Sequence, residues 1–95
     1  MALDANGKIL AIRVMADYGL GAYLSASAPV PACIGSMVYP NVYEYEAMHI
    51  HIRVVFSHTT WTGPYRGAGR PEAIYVIERL MDTCAREIGL DPIEL

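Results

Sequence analysis

The chain opens with a short apolar piece, Met1-Ala2-Leu3, broken by Asp4-Ala5-Asn6-Gly7 and followed by a longer apolar run from Ile9 to Tyr18. Asn and Gly tolerate the positive φ of tight hairpin turns, so this pattern predicts a strand entered through a hairpin. Leu10, Ile12, Val14 and Ala16 alternate onto one wholly apolar face, which should look into a core; Ile9, Ala11, Arg13 and Met15 share the other. Met48 to Ser57 alternates most cleanly. Met48, Ile50, Ile52, Val54 and Phe56 line one side, with His49, His51, Arg53, Val55 and Ser57 on the other. One buried and one wet sheet face follow from that alternation.

From Pro71 the period changes to that of a helix, running to about Ile88 with Ile74, Ile77, Met81, Cys84 and Ile88 on one stripe. Proline at its first position, Glu72 in its first turn and Gly89 at its end are the expected punctuation. Asp91-Pro92 reads as the cap and first residue of another helix. Together with the half hairpin at the start, this predicts a chain cut at both ends, residues 1–95 being part of a larger domain. Between Gly19 and Val42 the pattern is weaker. Pro29 and Pro31 should exclude regular structure across that point, and Cys33 to Val38 fits either a short helix or an extended piece. The predicted class is α+β: a small antiparallel sheet of about three strands, with the one main helix packed on a face.

Composition narrows what such a domain does. With 54% hydrophobic and 18% charged residues the chain is too apolar for disorder, and its excess suggests faces meant to meet more protein. A net charge of −3 offers no footprint for nucleic acid. No run of about 20 nearly uncharged apolar residues is present to span a membrane, and Asp4, Lys8 and Arg13 interrupt any signal-like start. Cytoplasmic residence is the resulting expectation, with Cys33 and Cys84 as two buried free thiols. His49 and His51 share a strand face. Their neighbours Arg53 and Val55 supply no third ligand, so a wet face is favoured over a metal site. Tyr39, Tyr43 and Tyr45 should rim a core or interface, and the methionines should fill gaps in packing.

The segment with chemical promise is Thr62-Gly63-Pro64-Tyr65-Arg66-Gly67-Ala68-Gly69-Arg70-Pro71. Its glycines allow close backbone approach, the helix start offers unpaired amides, and Arg66 and Arg70 add positive charge. An anionic group or the oxo ligands of a metal centre would suit such a loop. On the residues alone, an ordinary glycine-rich connection, its arginines solvated or paired with Glu72, weighs more.

A resemblance shifts that balance. Tyr65-Arg66-Gly67-Ala68-Gly69-Arg70-Pro71-Glu72-Ala73 resembles, residue for residue, a signature of bacterial xanthine dehydrogenase/aldehyde oxidase-type enzymes. Ala2 to Val14, Gly21 to Ser25, Ile77 to Asp82 and Gly89 to Leu95 resemble the same large, molybdopterin-binding subunit. The likeness implies a fragment of a molybdenum hydroxylase, an oxidoreductase that hydroxylates an aldehyde or N-heterocycle carbon with oxygen from water. The cofactor implied is a molybdenum-pterin, expected as its cytosine dinucleotide, with electrons passing to [2Fe–2S] clusters and FAD. Implied partners are the remainder of the large subunit and the iron–sulfur and FAD subunits.

By the same resemblance Arg66 and Gly67 lie beside the cofactor, and Ala68 lies in the wall of the substrate cavity. Purine oxidases carry an aromatic residue at the position of Ala68 and an arginine within the stretch from Ala32 to Val42. This chain has neither, which implies a substrate other than a stacked purine. Carbon monoxide dehydrogenases carry cysteine at the position of Gly67, which argues against that activity. The catalytic glutamate of such enzymes lies far beyond Leu95, and Glu44, Glu46, Glu72, Glu78 and Glu87 take no such role. No catalytic residue and no metal ligand is therefore expected here. Ser57-His58-Thr59-Thr60-Trp61-Thr62 departs from the usual Thr-Asn-Thr followed by proline. The alternative function is a stand-alone module that captures a nucleotide phosphate with the Arg66–Pro71 loop, testable by titrating phosphate or CMP with Arg66→Ala as control.

Overall fold

A computed structural model describes all residues, 1–95. Five elements follow in order: β1 (Ala2–Leu3), β2 (Ile9–Gly21), α1 (Val30–Val38), β3 (Ala47–Phe56) and α2 (Arg70–Ile88). The strands form one sheet in the order β1-β2-β3. The hairpin turn forms as the sequence predicts. Asp4 Oδ1 accepts from the amides of Asn6 at 2.8 Å and Lys8 at 2.9 Å, and Gly7 takes the left-handed conformation at φ 89°.

The class is α+β with three strands, but the sheet is mixed, not antiparallel. β1 pairs antiparallel with β2, whereas β2 and β3 run parallel. A parallel pair needs a crossover of a dozen or more residues, and the stretch between Gly21 and Ala47 supplies it, with α1 inside it. The expectation that Pro29 and Pro31 break regular structure is also corrected. Pro31 sits in the first turn of α1 and Pro29 at its cap, where a missing amide hydrogen removes no intrahelical bond.

Register places Ile12 beside Met48, Val14 beside Ile50 and Ala16 beside Ile52 on one face. That face meets α2. Ile12, Val14, Tyr39, Ala73 and Ile77 form the central core, flanked by Tyr43, Tyr45, Ile50 and Leu80. The helix stripe is rotated from the predicted one: Ala73, Ile77, Met81 and Ala85 are buried, while Ile74 and Ile88 are largely exposed. Small Ala73 and Ala85 let the α2 backbone approach its neighbours closely, and larger side chains take the flanks. Gly89 ends the helix in the left-handed conformation at φ 73°, its amide donating to the carbonyl of Arg86.

Loop 39–46 is pinned to α2 through Glu78, whose carboxylate accepts from Asn41 Nδ2 at 2.7 Å and Tyr43 Oη at 2.8 Å. Burial, then that carboxylate, push the Tyr43 phenol up to about 12. The opposite sheet face is open and polar. Arg53 grips Asp17 with two 2.8 Å bonds across the strands, holding the Asp17 carboxyl below its ordinary value. Cys33 is exposed and Cys84 half-buried, both free; the thiol of Cys33 lies on the outer side of α1 and so is not the buried one expected.

The molecule is long and thin, 47 × 22 × 20 Å, with a radius of gyration of 15.5 Å. A compact domain of this length would have a radius near about 12 Å. Only 15 of 95 residues are buried, so much of the apolar half of the composition stays on the surface. No helix is long and apolar enough to cross a membrane.

Candidate functional site

The parallel pair β2–β3 ends where the chain turns toward α2, and the glycine-rich segment emerges there. β2 is irregular between Gly19 and Gly21, the latter at φ 79°. A side chain at Gly21 would put its β-carbon 2.3 Å from the Thr60 carbonyl oxygen and 2.4 Å from Trp61 Cα, so this glycine lets segment 57–62 cross close against β2. Four bonds fasten the crossing. Ser57 N donates to Gly21 O, Ala22 N to Thr59 O and Thr62 N to Leu20 O, each at 3.0 Å, and Thr62 Oγ1 donates to Gly19 O at 2.8 Å. Trp61, where the resemblance would place proline, tilts over Tyr23 with ring centres 6.1 Å apart. The connection is thus held by bonds and a ring pair in place of a fixed proline φ.

Beyond Thr62 the chain reaches three consecutive left-handed residues: Gly67 at φ 100°, Ala68 at φ 45° and Gly69 at φ 89°. Ala68 is one of two non-glycine residues with positive φ and is held there at a cost of about 1–2 kcal/mol. Ala68 N donates to Tyr65 O at 2.8 Å and Arg70 N to Gly67 O at 3.1 Å, closing two overlapping turns; Arg70 Nη1 adds a 3.3 Å bond to the same carbonyl. The amides of Arg66, Gly67 and Gly69 donate to no group of the chain. Helix α2 starts immediately after, with Gly69 as its cap and Glu72 in its first turn.

Alongside the loop lies a concavity of about 180 Å³ lined by Pro31, Gly63, Tyr65, Arg66, Ala68, Gly69, Pro71 and Glu72. The structure therefore brings Arg66 and Ala68 to one concave surface, with Gly67 between them in the chain. Gly63 belongs to the segment the sequence singled out, whereas Pro31 on α1 is a member it did not, having been read there only as a break in regular structure. Glu72 belongs to the same wall, so the concavity presents one carboxylate among its cationic and amide groups.

Other candidates lie apart from this site. His49 and His51 are exposed on the open sheet face, beside Arg13 and Met15 of β2. No group of three or more His, Cys, Asp or Glu side chains is placed to hold a metal ion. Glu46 pairs with Lys8, and Glu78 is occupied by Asn41 and Tyr43. A larger concavity, about 460 Å³, lies at the far end of the sheet among Met1, Ala11, Arg13, Met48 and His49. It is open and mostly apolar.

A bent, amide-presenting loop at the carboxyl end of a parallel strand pair thus borders a concavity at the start of a helix in an α+β domain. Residues 1–95 match the molybdopterin cofactor-binding domain family throughout, and the chain belongs to it. It is 33% identical over 94 residues, 99% of the chain, to the gamma subunit of the 6-hydroxypseudooxynicotine dehydrogenase complex of Paenarthrobacter nicotinovorans. It is 30% identical over 95% of its length to the large molybdopterin subunit of nicotinate dehydrogenase from Eubacterium barkeri. The carbon monoxide dehydrogenase large chain of Hydrogenophaga pseudoflava is 31% identical over 98 residues. The chain spans 12%, 21% and 12% of these relatives respectively. The resemblance to xanthine dehydrogenase/aldehyde oxidase-type molybdenum-binding subunits is thereby established.

Proposed function

We propose that this chain forms one wall of a molybdenum-pterin site in a hydroxylase-type oxidoreductase whose remaining walls come from further polypeptide. The observation that carries the reading is the Arg66–Gly69 loop. Three successive left-handed residues turn unpaired amides outward beside a concavity at the positive end of α2. Those groups suit the cofactor. Neutral amide donors with Arg66 and Arg70 nearby match anionic oxo or phosphate oxygens, and a side chain at Gly69 would collide with α1 before the loop could settle.

The amides of Arg66 and Gly67 would hold the cofactor's oxygens, and Ala68 would form part of the substrate wall. When bound, the cofactor supplies oxygen-atom transfer to carbon. The chain's own contribution is to orient the cofactor and to shape the space beside it. The methyl of Ala68 leaves room for an aldehyde or a small N-heterocycle without filling the space an aromatic residue would take. Two similar proteins are named for acting on 6-hydroxypseudooxynicotine and nicotinate, which agrees with a ring of that size. A third is named for carbon monoxide, but Gly67 carries no thiol, so that chemistry is not proposed here.

Partner iron–sulfur and FAD subunits and the cytosine dinucleotide form of the cofactor belong to the same proposal. Support for further polypeptide comes from the elongated shape and the small share of each relative that the chain spans. The test is the molybdenum and pterin content of the polypeptide that carries this segment, purified from molybdate-fed cells, native against Gly67→Val. Valine cannot adopt φ 100° without strain. Cofactor in the native protein and its loss in the variant support the reading. Equal cofactor in both, or none in the native protein, refutes it.

A further inference from the structure

Helix α1 is the surface on which the loop rests, and the two meet backbone to backbone. A β-carbon on Gly69 would lie 2.0 Å from the Pro31 carbonyl oxygen and 3.0 Å from the Gly35 amide nitrogen. A β-carbon on Gly35 would lie 3.1 Å from the Gly69 carbonyl oxygen and 2.9 Å from the Tyr18 hydroxyl. Both glycines are buried. Gly35 is not among the residues with positive φ, so its backbone conformation does not require glycine. Inside a helix, glycine is about 0.5–1 kcal/mol worse than alanine. What glycine provides at this position is space.

We infer that Gly35 is a positioning residue for the cofactor-facing loop, and that Tyr18 on β2 sets the other side of its slot. The inference rests on the functional reading above. With no side chain at Gly35, α1 lies close enough for Gly69 to seat against its first turns, and that seat fixes where the Arg66 and Gly67 amides and the Ala68 methyl point. A methyl group on Gly35 would meet the Gly69 carbonyl, a backbone group that cannot rotate away, so the loop itself must shift by a few tenths of an ångström. Pro31, which Gly69 touches, lines the same concavity, so a displaced α1 also changes its wall. Outer-shell groups that hold metal ligands in place are worth about 10–100-fold in metal affinity, and the lower end of that range sets the scale for a seat one step further out.

Gly35→Ala tests this in the polypeptide that carries the segment, because helix propensity and loop seating predict opposite results. The expected outcome is an unfolding midpoint unchanged or raised, with α2 amides as protected as before. Hydrogen exchange at the Ala68 and Arg70 amides should quicken, and molybdenum per polypeptide should fall roughly tenfold. Adding Tyr18→Phe clears the 2.9 Å contact, lets α1 shift toward the sheet, and should return Ala68 and Arg70 exchange toward native. Native exchange at both amides in Gly35→Ala overturns the inference. So does a lowered midpoint with exchange quickened uniformly along α2, the mark of a merely structural role. If the native protein holds no molybdenum, the functional reading fails by itself, and the two amides still decide the role of Gly35.

Discussion

Replacing Gly69 by alanine probes the contact that joins the fold to the site. Gly69 has φ 89° and ψ −13°, a conformation in which an L side chain is strained by about 1–2 kcal/mol. The added methyl would also stand 2.0 Å from the Pro31 carbonyl oxygen and 2.7 Å from its carbon. Ordinary contact is roughly 3.5 Å, so loop and helix must separate by more than about 1 Å. Overpacking of that kind typically costs about 1–3 kcal/mol. The two effects sum to about 2–5 kcal/mol. Alanine also restricts the unfolded chain, but that gain applies only where the native conformation suits it, and here it does not.

Gly89→Ala supplies the control. Gly89 has φ 73° with nothing within 4 Å of its virtual β-carbon, so it carries the strain without the collision. Urea unfolding followed by circular dichroism should show a loss of about 1–2 kcal/mol for Gly89→Ala. The loss for Gly69→Ala should exceed it by about 1–3 kcal/mol. Equal losses would refute the close packing of the loop on α1, and with it the account of why the loop is bent.

Other perturbations reach the rest of the fold. Ile77→Ala removes three carbons from a side chain with no exposure, worth about 2.4 kcal/mol at ~0.8 per carbon before any cavity effect, so chemical denaturation should show a loss of roughly 3–4 kcal/mol. Tyr43→Phe tests the pinned loop through pH. Because the folded phenol titrates near 12 and an ordinary one near 10, stability is full below pH 10 and falls as pH rises toward 12. Thermal melts of Tyr43→Phe across that window should decline less steeply, leaving the smaller shares of Tyr18, Tyr39 and Tyr45, whose phenols are also raised by burial. Asp17→Asn breaks an exposed pair and should change the melting midpoint little, the worth of such pairs being under about 1 kcal/mol.

Local signals marked most elements in the sequence. The Asp4–Gly7 turn, the apolar face of β2, the β3 strand and the Pro71-to-Gly89 limits of α2 were each written in residues a few positions apart, and each forms, although Val54 and Phe56 of the β3 face expected to be buried stay exposed. What escaped the sequence depends on contacts between distant segments. The parallel pairing of β2 and β3 is decided by the crossover, which local alternation does not encode. Helix α1 was hidden because Pro29 and Pro31 were read as breakers, although a proline in a helix's first turn breaks no intrahelical bond. The buried stripe of α2 is turned toward Ala73 and Ala85 because small residues permit close approach, a choice set by what faces them. At the site, the bend at Arg66–Gly69 was legible from its glycines. The part played by Pro31 in its wall was not, since α1 brings it there from a distant part of the chain.

The most direct test of the proposed cofactor contact at residues 66–69 is anomalous diffraction at the molybdenum edge from crystals of the cofactor-loaded protein. The expected result is a single strong peak in the concavity bordered by Arg66, Ala68 and Glu72. A peak at the opposite end of the sheet, beside Met1, Arg13 and His49, or one with no part of residues 66–69 alongside, would contradict it.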